Sequence, residues 1–201
     1  MNTSIANGLP VFALLLVVLA AAPAAAEGDP EQGAVLGYTC LGCHGIDGYR
    51  NAYPSYRVPR LGGQKSEYIE HALRSYRDGA RPHPTMQAQA GSLTDEDIDN
   101  LVAWLASFGT VTDDATAATA PEVVAACVAC HGADGAEVLP VPPTLAGQHP
   151  EYLEYALRQY QENARGNNVM NAFAVTLDDD DIEAAARFYG SLDGLFTPAA
   201  D

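Results

Sequence analysis

The segments Cys40-Leu41-Gly42-Cys43-His44 and Cys127-Val128-Ala129-Cys130-His131 decide the architecture of this chain, because together they contain all four of its cysteines. Two thiols three residues apart can both add to the vinyl groups of one porphyrin, and the histidine that follows can then offer its imidazole to the iron. The two segments therefore predict two covalently attached c-type haems. Each segment would supply both the anchor and the proximal ligand of one haem.

Cys-x-x-Cys pairs also occur in two other kinds of site. Two pairs can build a four-cysteine zinc knuckle, and a single pair can form a thioredoxin-like dithiol. Neither site needs a histidine directly after the second cysteine, whereas this sequence has one both times. The thioredoxin alternative also requires alternating strand and helix patterns around the motif, and these are missing. The sequence favours haem over both.

The N-terminus has the pattern of a secretory signal peptide. Residues 1–26 contain no Asp, Glu, Lys or Arg and include the apolar run 11–22, followed by Ala24-Ala25-Ala26 as a small-residue cleavage site. We expect cleavage after Ala26 and export of the mature chain. The run is short for a spanning helix, which needs about 20 apolar residues. Because no Lys or Arg precedes the run, retention as a membrane anchor stays open as the alternative.

The chain is strongly acidic, with a formal net charge of −16 over 201 residues. The mature chain keeps this charge, because residues 1–26 have no charged side chains. Such a surface argues against nucleic acid and anionic membranes as partners. It favours redox proteins with a basic docking patch, and an association that weakens as salt rises.

The sequence contains an internal repeat. Leu61-Gly62-Gly63-Gln64 returns as Leu145-Ala146-Gly147-Gln148, 84 positions later, whereas the two cysteine motifs are 87 positions apart. Three residues were therefore gained or lost between the motif and the Leu-x-Gly-Gln segment. The chain is predicted to consist of two copies of one unit, with domains at 27–110 and 121–201 and a linker at 111–120.

The offset of 84 also pairs Met86 with Met170, the only methionines besides the initiator. A lone methionine is usually core filler, but matched positions in both copies predict thioether ligands on the distal side of each iron. A symmetric bis-histidine site cannot be built, because the counterparts of His71 and His83 are a tyrosine and an asparagine. We expect His71, His83 and His149 to be surface or helix-end side chains.

Each copy has the same order of predicted helices and no strand alternation, so the fold class is all-α. Helices are expected to lead into the cysteine motifs at 30–40 and 121–127. Middle helices are expected at 66–78, with Ser66 as N-cap, and at 150–163, each followed by an irregular segment that holds the methionine. A last helix begins at each acidic cluster, Thr94–Asp97 and Asp178–Asp181.

The acidic clusters have two interpretations. Carboxylates at a helix start can cap free amides and meet the positive end of the helix dipole, or they can bind a metal ion, and the helix-start interpretation is favoured. Trp104 and Phe188 match across the repeat in the last helix. We expect both aromatic side chains to belong to the core and to pack against the motif-bearing helix.

Taken in order, these features resemble the dihaem class I cytochromes c of the c4 type over essentially the whole mature chain. The resemblance implies two cytochrome c folds across a pseudo-twofold axis, a periplasmic location and electron delivery to a membrane-bound terminal oxidase. It also implies a set of site residues: thioether links at Cys40, Cys43, Cys127 and Cys130, proximal ligands His44 and His131, distal ligands Met86 and Met170, and proline carbonyls at Pro59 and Pro143 that orient the proximal histidines.

Histidine and methionine together leave no open position on the iron, which is typical of an electron carrier. We expect one-electron transfer at each haem, no enzymatic activity and no small-molecule substrate. The main alternative is the dihaem subunit of a periplasmic dehydrogenase such as a flavocytochrome c. A haem enzyme or gas sensor is a further alternative, and it would need a displaceable ligand. The first loop, which includes Tyr56 and Arg57, is longer than its counterpart, so we expect the two haem pockets to differ.

Overall fold

A computed structural model describes residues 28–109, 111, 120–136 and 142–199. Within these ranges the chain forms eight α-helices, one 3-10 turn and no sheet. No helix in the described ranges is long and apolar enough to cross a membrane. The predicted signal peptide at 1–26 and most of the predicted linker at 111–120 lie outside the described residues.

The first half of the chain (residues 28–109) contains four helices: α1 (Pro30–His44), α2 (Ser66–Arg77), α3 (Pro84–Ala90) and α4 (Asp95–Ala106). Helix α1 begins where the Asp29 carboxylate accepts the backbone N–H of Glu31 at 2.8 Å. Pro30 occupies its first turn, where a missing N–H costs no hydrogen bond. The helix predicted at 30–40 is present, but it continues to His44 and contains the whole cysteine motif.

The second half (residues 120–199) repeats this order of helices, but the helix that contains its cysteine motif is shorter. A 3-10 turn at Glu122–Val124 leads into four helices: α5 (Ala125–His131), α6 (Pro150–Gln161), α7 (Asn168–Ala174) and α8 (Asp179–Ser191). The bounds predicted for the entry helix, 121–127, are wrong, because the α-helix begins at Ala125 and runs through the motif to His131.

Other predicted bounds also need correction. Lys65, with extended backbone, is the N-cap of α2, and Ser66 is the first helical residue. Helix α6 ends before the predicted residue 163, because Asn163 has a φ of 55° and so leaves the helical conformation. The methionine segments, predicted to be irregular, are helices α3 and α7. Each has only seven residues, which is too short to produce a clear periodic pattern.

The acidic clusters act as helix caps, as predicted. The Thr94 hydroxyl accepts the Asp97 N–H at 3.1 Å, and the Asp97 carboxylate accepts the Thr94 N–H at 2.8 Å. Asp178 and Asp181 form the same reciprocal pair at the start of α8. This arrangement is a capping box, which satisfies two amides that have no partner inside the helix.

The core of the first half is the crossing of α1 and α4. Trp104 lies directly on Gly37, where an added Cβ would fall 2.1 Å from Trp104 Cζ3. In the second half, the residue three places before the first motif cysteine is Val124, which is buried in one cluster with Phe188. The first half thus combines glycine with tryptophan, and the second half combines the larger valine with the smaller ring of phenylalanine. The predicted packing of Trp104 and Phe188 near the motif-bearing segments is confirmed.

Two buried glutamines join the halves reciprocally. The Gln64 amide accepts the Thr144 N–H at 2.9 Å and donates to the Thr144 carbonyl at 3.0 Å. The Gln148 amide makes the same pair of bonds with the backbone of Arg60, at 2.9 and 3.1 Å. Gln148 lies 84 positions after Gln64, and Thr144 lies 84 positions after Arg60. Such reciprocity is what a twofold relation between two similar units produces.

The C-terminal segment and the first loop add contacts that have no reciprocal copy among the described residues. Phe196 exchanges two backbone hydrogen bonds of 3.0 Å with Gly62. In the first loop, Arg50 and Arg57 lie 3.0 and 3.5 Å from the Glu151 carboxylate on α6. Within the described part of the chain, the halves are therefore joined by symmetric contacts at the glutamines and by asymmetric contacts at the edges.

Candidate haem sites

Each motif places its two thiols and its imidazole on one helix. In α1, Cys40, Cys43 and His44 stand at relative positions 0, 3 and 4, which share one helix face. The same spacing occurs in α5 at Cys127, Cys130 and His131. All four cysteines are free of disulfide bonds and partly buried. Both thiols of each pair are thus available to one ligand that lies against that face.

The two motif histidines are held by proline carbonyls. His44 Nδ1 lies 2.8 Å from the carbonyl oxygen of Pro59, and His131 Nδ1 lies 3.1 Å from that of Pro143. A carbonyl only accepts, so each Nδ1 carries the proton and each Nε2 keeps its lone pair. Burial lowers the pKa of both imidazoles, which favours the neutral form that a metal needs.

The two methionines occupy equivalent places in α3 and α7. Each is the third residue of its helix, and each is partly buried. The N-cap side chain accepts its backbone N–H: His83 Nδ1 binds Met86 at 3.2 Å, and Asn167 Oδ1 binds Met170 at 3.0 Å. The sequence thus anticipated the symmetry of the methionines but not the helices that carry them.

The histidines outside the motifs have distinct surroundings. His71 is exposed, as expected. His83 is an N-cap, and its Nε2 lies 2.8 Å from the Tyr56 hydroxyl. Burial and the nearby Arg81 lower the pKa of His83. His149 is a helix-end residue, as expected, and is only 4% exposed. It is buried because the glutamine-bonded segment before α6 lies between the halves.

The four cysteines do not form one zinc site. Among the described residues, which include every cysteine, no three His, Cys, Asp or Glu side chains converge closely enough to hold a metal ion. The acidic clusters are likewise explained by their capping bonds. The geometry therefore fits a ligand that takes one cysteine pair and one histidine at a time, as haem c does.

A cluster of arginines and tyrosines lies between the halves. Arg81 donates to the Tyr152 hydroxyl at 2.5 Å, and Arg165 donates to the Tyr68 hydroxyl at 2.7 Å. Both guanidinium groups are buried, and each also lies over a tyrosine ring of its own half, at 4.4 and 4.5 Å from the centroid. The 84-residue offset relates each of these residues to its counterpart. The repeat therefore indicates that the residues are matched in pairs, but it does not indicate that they meet between the halves.

Among the residues that the structure describes, no carboxylate balances the positive charge of this cluster. No ion pair of Arg81 or Arg165 with Asp or Glu occurs among the residues described. Burial raises the pKa of Tyr68, yet the two guanidinium groups bring it down to about 8. Buried charges are normally paired. A group that brings carboxylates into the interior, as haem does with its propionates, fits this surplus of positive charge.

Comparison with known proteins agrees with this geometry. The family model described as cytochrome c matches residues 31–109 and again 117–193. The chain is 32% identical to the thiosulfate dehydrogenase electron acceptor of Stutzerimonas stutzeri, over 76% of this chain and 78% of that protein. The cytochrome c4 structure from Acidithiobacillus ferrooxidans superimposes with a TM-score of 0.64 at 28% identity, covering 78% of this chain and 99% of the other.

A third relative is a solved enzyme. The thiosulfate dehydrogenase structure from Marichromatium purpuratum superimposes with a TM-score of 0.65 at 28% identity. The match covers 81% of this chain but 40% of the enzyme chain. The two-domain unit therefore occurs both in a chain of its own size and as part of a longer one.

Proposed function

Since the chain belongs to the cytochrome c family and contains its domain twice, we propose that it carries single electrons between redox proteins of the periplasm. Its cysteine pairs, Cys40 with Cys43 and Cys127 with Cys130, bind two haem c groups covalently. We assign the axial positions to His44 with Met86 and to His131 with Met170. The observation that carries this proposal is the carbonyl bond at each proximal Nδ1, which leaves Nε2 for iron in both halves.

The protein residues have three roles in this proposal. The Pro59 and Pro143 carbonyls hold the proximal imidazoles in one tautomer and orientation. The caps of α3 and α7 hold the methionines in the first turn of a short helix. Haem c supplies the one-electron chemistry when it is bound, and the thioether ligand favours its reduced state relative to a second imidazole.

The location and the terminal partner are part of the proposal. A signal peptide at 1–26 would deliver the chain to the periplasm. Covalent haem attachment and electron transfer to a membrane-bound oxidase as acceptor would both be consistent with that location. The acidic surface supports partners with basic docking patches, because opposite charges speed association. We assign the chain no catalytic role of its own.

The second half has an apolar surface beside its methionine. Val169, Phe173 and Val175 are 58%, 48% and 63% exposed. Their counterparts 84 positions earlier are polar or lack a side chain: Thr85, Gln89 and Gly91. Because the first half tolerates polar residues at the same places, these apolar side chains are not required by the fold. Together with the acidic start of α8, they support partner docking on the second half.

The axial ligands can be tested one at a time. We expect Met86→Ala to abolish the sulfur-to-iron charge-transfer band of one oxidised haem and Met170→Ala to abolish that of the other. The haem-loaded protein would be examined by absorption and magnetic circular dichroism, with a haem count per chain. Retention of both bands in both single variants would refute the methionine assignment.

A second candidate function has support from the relatives. The names of two relatives refer to thiosulfate dehydrogenase, one as its electron acceptor and one as the enzyme itself. A dehydrogenase could therefore be the donor, or the chain could be a permanent subunit of one, as in the flavocytochrome alternative. Isolation from native cells without affinity tags distinguishes these. Co-purification with a flavoprotein or a larger haem enzyme in constant ratio would favour the subunit, and a monomeric haem protein would favour the free carrier.

A further inference from the structure

The cap of α3 connects Met86 to a tyrosine outside its helix. His83 Nδ1 accepts the Met86 N–H at 3.2 Å, so Nε2 carries the proton of the neutral ring. That Nε2–H points at the Tyr56 hydroxyl oxygen, 2.8 Å away. His83 is therefore held at both ring nitrogens, and its position depends on Tyr56 as well as on the helix that it caps.

Tyr56 belongs to the first half by sequence but packs on the second. It is only 4% exposed, and its ring stacks on Tyr155 of α6 with centroids 4.5 Å apart and planes at 20°. Tyr152, also on α6, lies 6.0 Å from it. The loop that carries Tyr56 is tied to the same helix by ion pairs of Arg50 and Arg57 with Glu151. Helix α6 thus contributes to the position of the Tyr56 hydroxyl.

The second half caps its methionine helix differently. Asn167 Oδ1 accepts the N–H groups of Val169 and Met170, at 3.1 and 3.0 Å. The backbone N–H of Asn167 in turn donates to Asn171 at 2.8 Å, within the same helix region. All of these partners belong to the second half, although the preceding residue, Gly166, donates its N–H to the Ala80 carbonyl of the first half at 3.4 Å. The side-chain hydrogen bonds that hold Met170 stay within one helix region, whereas those that hold Met86 lead to Tyr56, whose ring stacks on the second half.

We propose that Tyr56 and His83 are positioning residues that make the distal ligand of the first haem depend on the packing of the second half, through a histidine–tyrosine link that has no counterpart at Asn167. This inference rests on the proposed ligation by Met86. A shift of α6 moves Tyr56 through the ring stack, and the doubly bonded imidazole transmits that shift to the first turn of α3. The structural consequence is that the distal ligand of the first haem is coupled to α6 by a route that the second haem lacks.

Three conservative variants of the full haem-loaded chain test the coupling. Tyr56→Phe keeps the ring stack and removes the hydroxyl. His83→Asn installs the cap that the second half uses and removes the link to Tyr56. Tyr155→Leu removes the stack from the opposite side. Tyr49→Phe is the matched control, because Tyr49 lies in the same loop but is 43% exposed.

The readouts are the two reduction potentials, assigned to individual haems by NMR, and the pH at which each oxidised haem loses its sulfur-to-iron band. We expect all three variants to change both readouts for the first haem only. Loss of one hydrogen bond should raise the equilibrium constant for Met86 dissociation about fivefold. In His83→Asn, adding Tyr56→Phe should have no further effect, because the link is already broken. The Tyr49→Phe control should match the parent.

The outcomes separate this inference from the proposed function. An unchanged first haem in Tyr56→Phe and His83→Asn, or equal shifts at both haems, overturns the inference. Additive effects in the double variant also overturn it, since they would show two independent structural roles. If the first-haem band survives Met86→Ala, the ligand assignment itself is wrong. If that band is lost in Met86→Ala while the three coupling variants behave like the parent, only the inference fails.

Discussion

The contact between Gly37 and Trp104 allows a quantitative test of how the two halves fill equivalent places in their cores. The first half pairs glycine with tryptophan, and the second half has Val124 and Phe188 at the corresponding places. We therefore expect Gly37→Val to be disruptive alone and to be rescued by Trp104→Phe. The double variant gives the first half the valine and phenylalanine that the second half has at these places.

The magnitude follows from the contact distances. A Cβ at Gly37 would lie 2.1, 2.4 and 2.6 Å from three ring atoms of Trp104, whereas carbon atoms in contact prefer about 3.5–4.0 Å. The ring or the helix must move by more than 1 Å, roughly, which in a packed core costs about 2–3 kcal/mol. The gain from replacing a helical glycine is about 0.4 kcal/mol. The net expectation for Gly37→Val is destabilisation by about 2 kcal/mol.

The single variant Trp104→Phe leaves unfilled volume above Gly37 and should cost about 1–2 kcal/mol. In the double variant the added methyl groups occupy that volume, so the two costs should not add. We expect a favourable coupling of about 2 kcal/mol in the double-mutant cycle. The assay is guanidinium unfolding of the haem-loaded protein by circular dichroism, with the second half as internal reference.

The control is Gly42→Ala, in the same helix. No atom lies within 4 Å of a Cβ at Gly42, and the second half has Ala129 there. This change should be stabilising by about 0.5–1 kcal/mol, because alanine restricts the unfolded chain. The reasoning is refuted if Gly37→Val unfolds like the parent, or if the costs of Gly37→Val and Trp104→Phe simply add.

Three further predictions concern the caps, the interface and the docking surface. Thr94→Ala removes the hydroxyl half of the capping box and should destabilise α4 by about 1 kcal/mol in thermal unfolding; the Thr94 backbone and hydroxyl hydrogen bonds lower the pKa of Asp97, so the part of the loss that comes from the hydroxyl–carboxylate bond should fade as the pH falls through the folded-state pKa, while the loss of the bond to the Asp97 N–H should persist. Gln148→Leu breaks both bonds to the Arg60 backbone and should speed hydrogen exchange of the Arg60 amide about tenfold, whereas an unchanged rate would show that these bonds do not hold the halves together. Phe173→Gln, which copies the first half, should slow electron exchange with a basic partner while both reduction potentials stay constant, and equal slowing by Gln89→Ala would place docking elsewhere.

Much of the site could be predicted because its determinants are local or repeated. The spacing within Cys40–His44 places two thiols and an imidazole on one helix face whatever the rest of the chain does. The 84-residue offset paired the methionines without any knowledge of their surroundings. The caps at Thr94 and Asp178 were also visible, because a capping box is a four-residue pattern.

The helix bounds were predicted less well where packing overrides local preference. Helix α1 continues through Gly42 and Cys43, which are poor helix formers, because its glycine face packs closely on α4. Helices α3 and α7 are too short for periodicity, and their start signals were a histidine before Pro84 and an asparagine, Asn167. A histidine can act as an N-cap only in the tautomer whose unprotonated nitrogen faces the helix amide. That tautomer depends on a hydrogen-bond partner that is distant in the sequence.

The sequence by itself determined the two haem motifs, the duplication, the all-α class and the paired methionines, because each follows from spacing along the chain. Only the tertiary structure decided what lies between the halves: the reciprocal glutamines, the buried Arg81 and Arg165, and the stack of Tyr56 on Tyr155. These contacts join residues 70 to 100 positions apart, roughly, and depend on how two folded units are oriented. No local period encodes that orientation. It is also what makes two similar haem sites unequal.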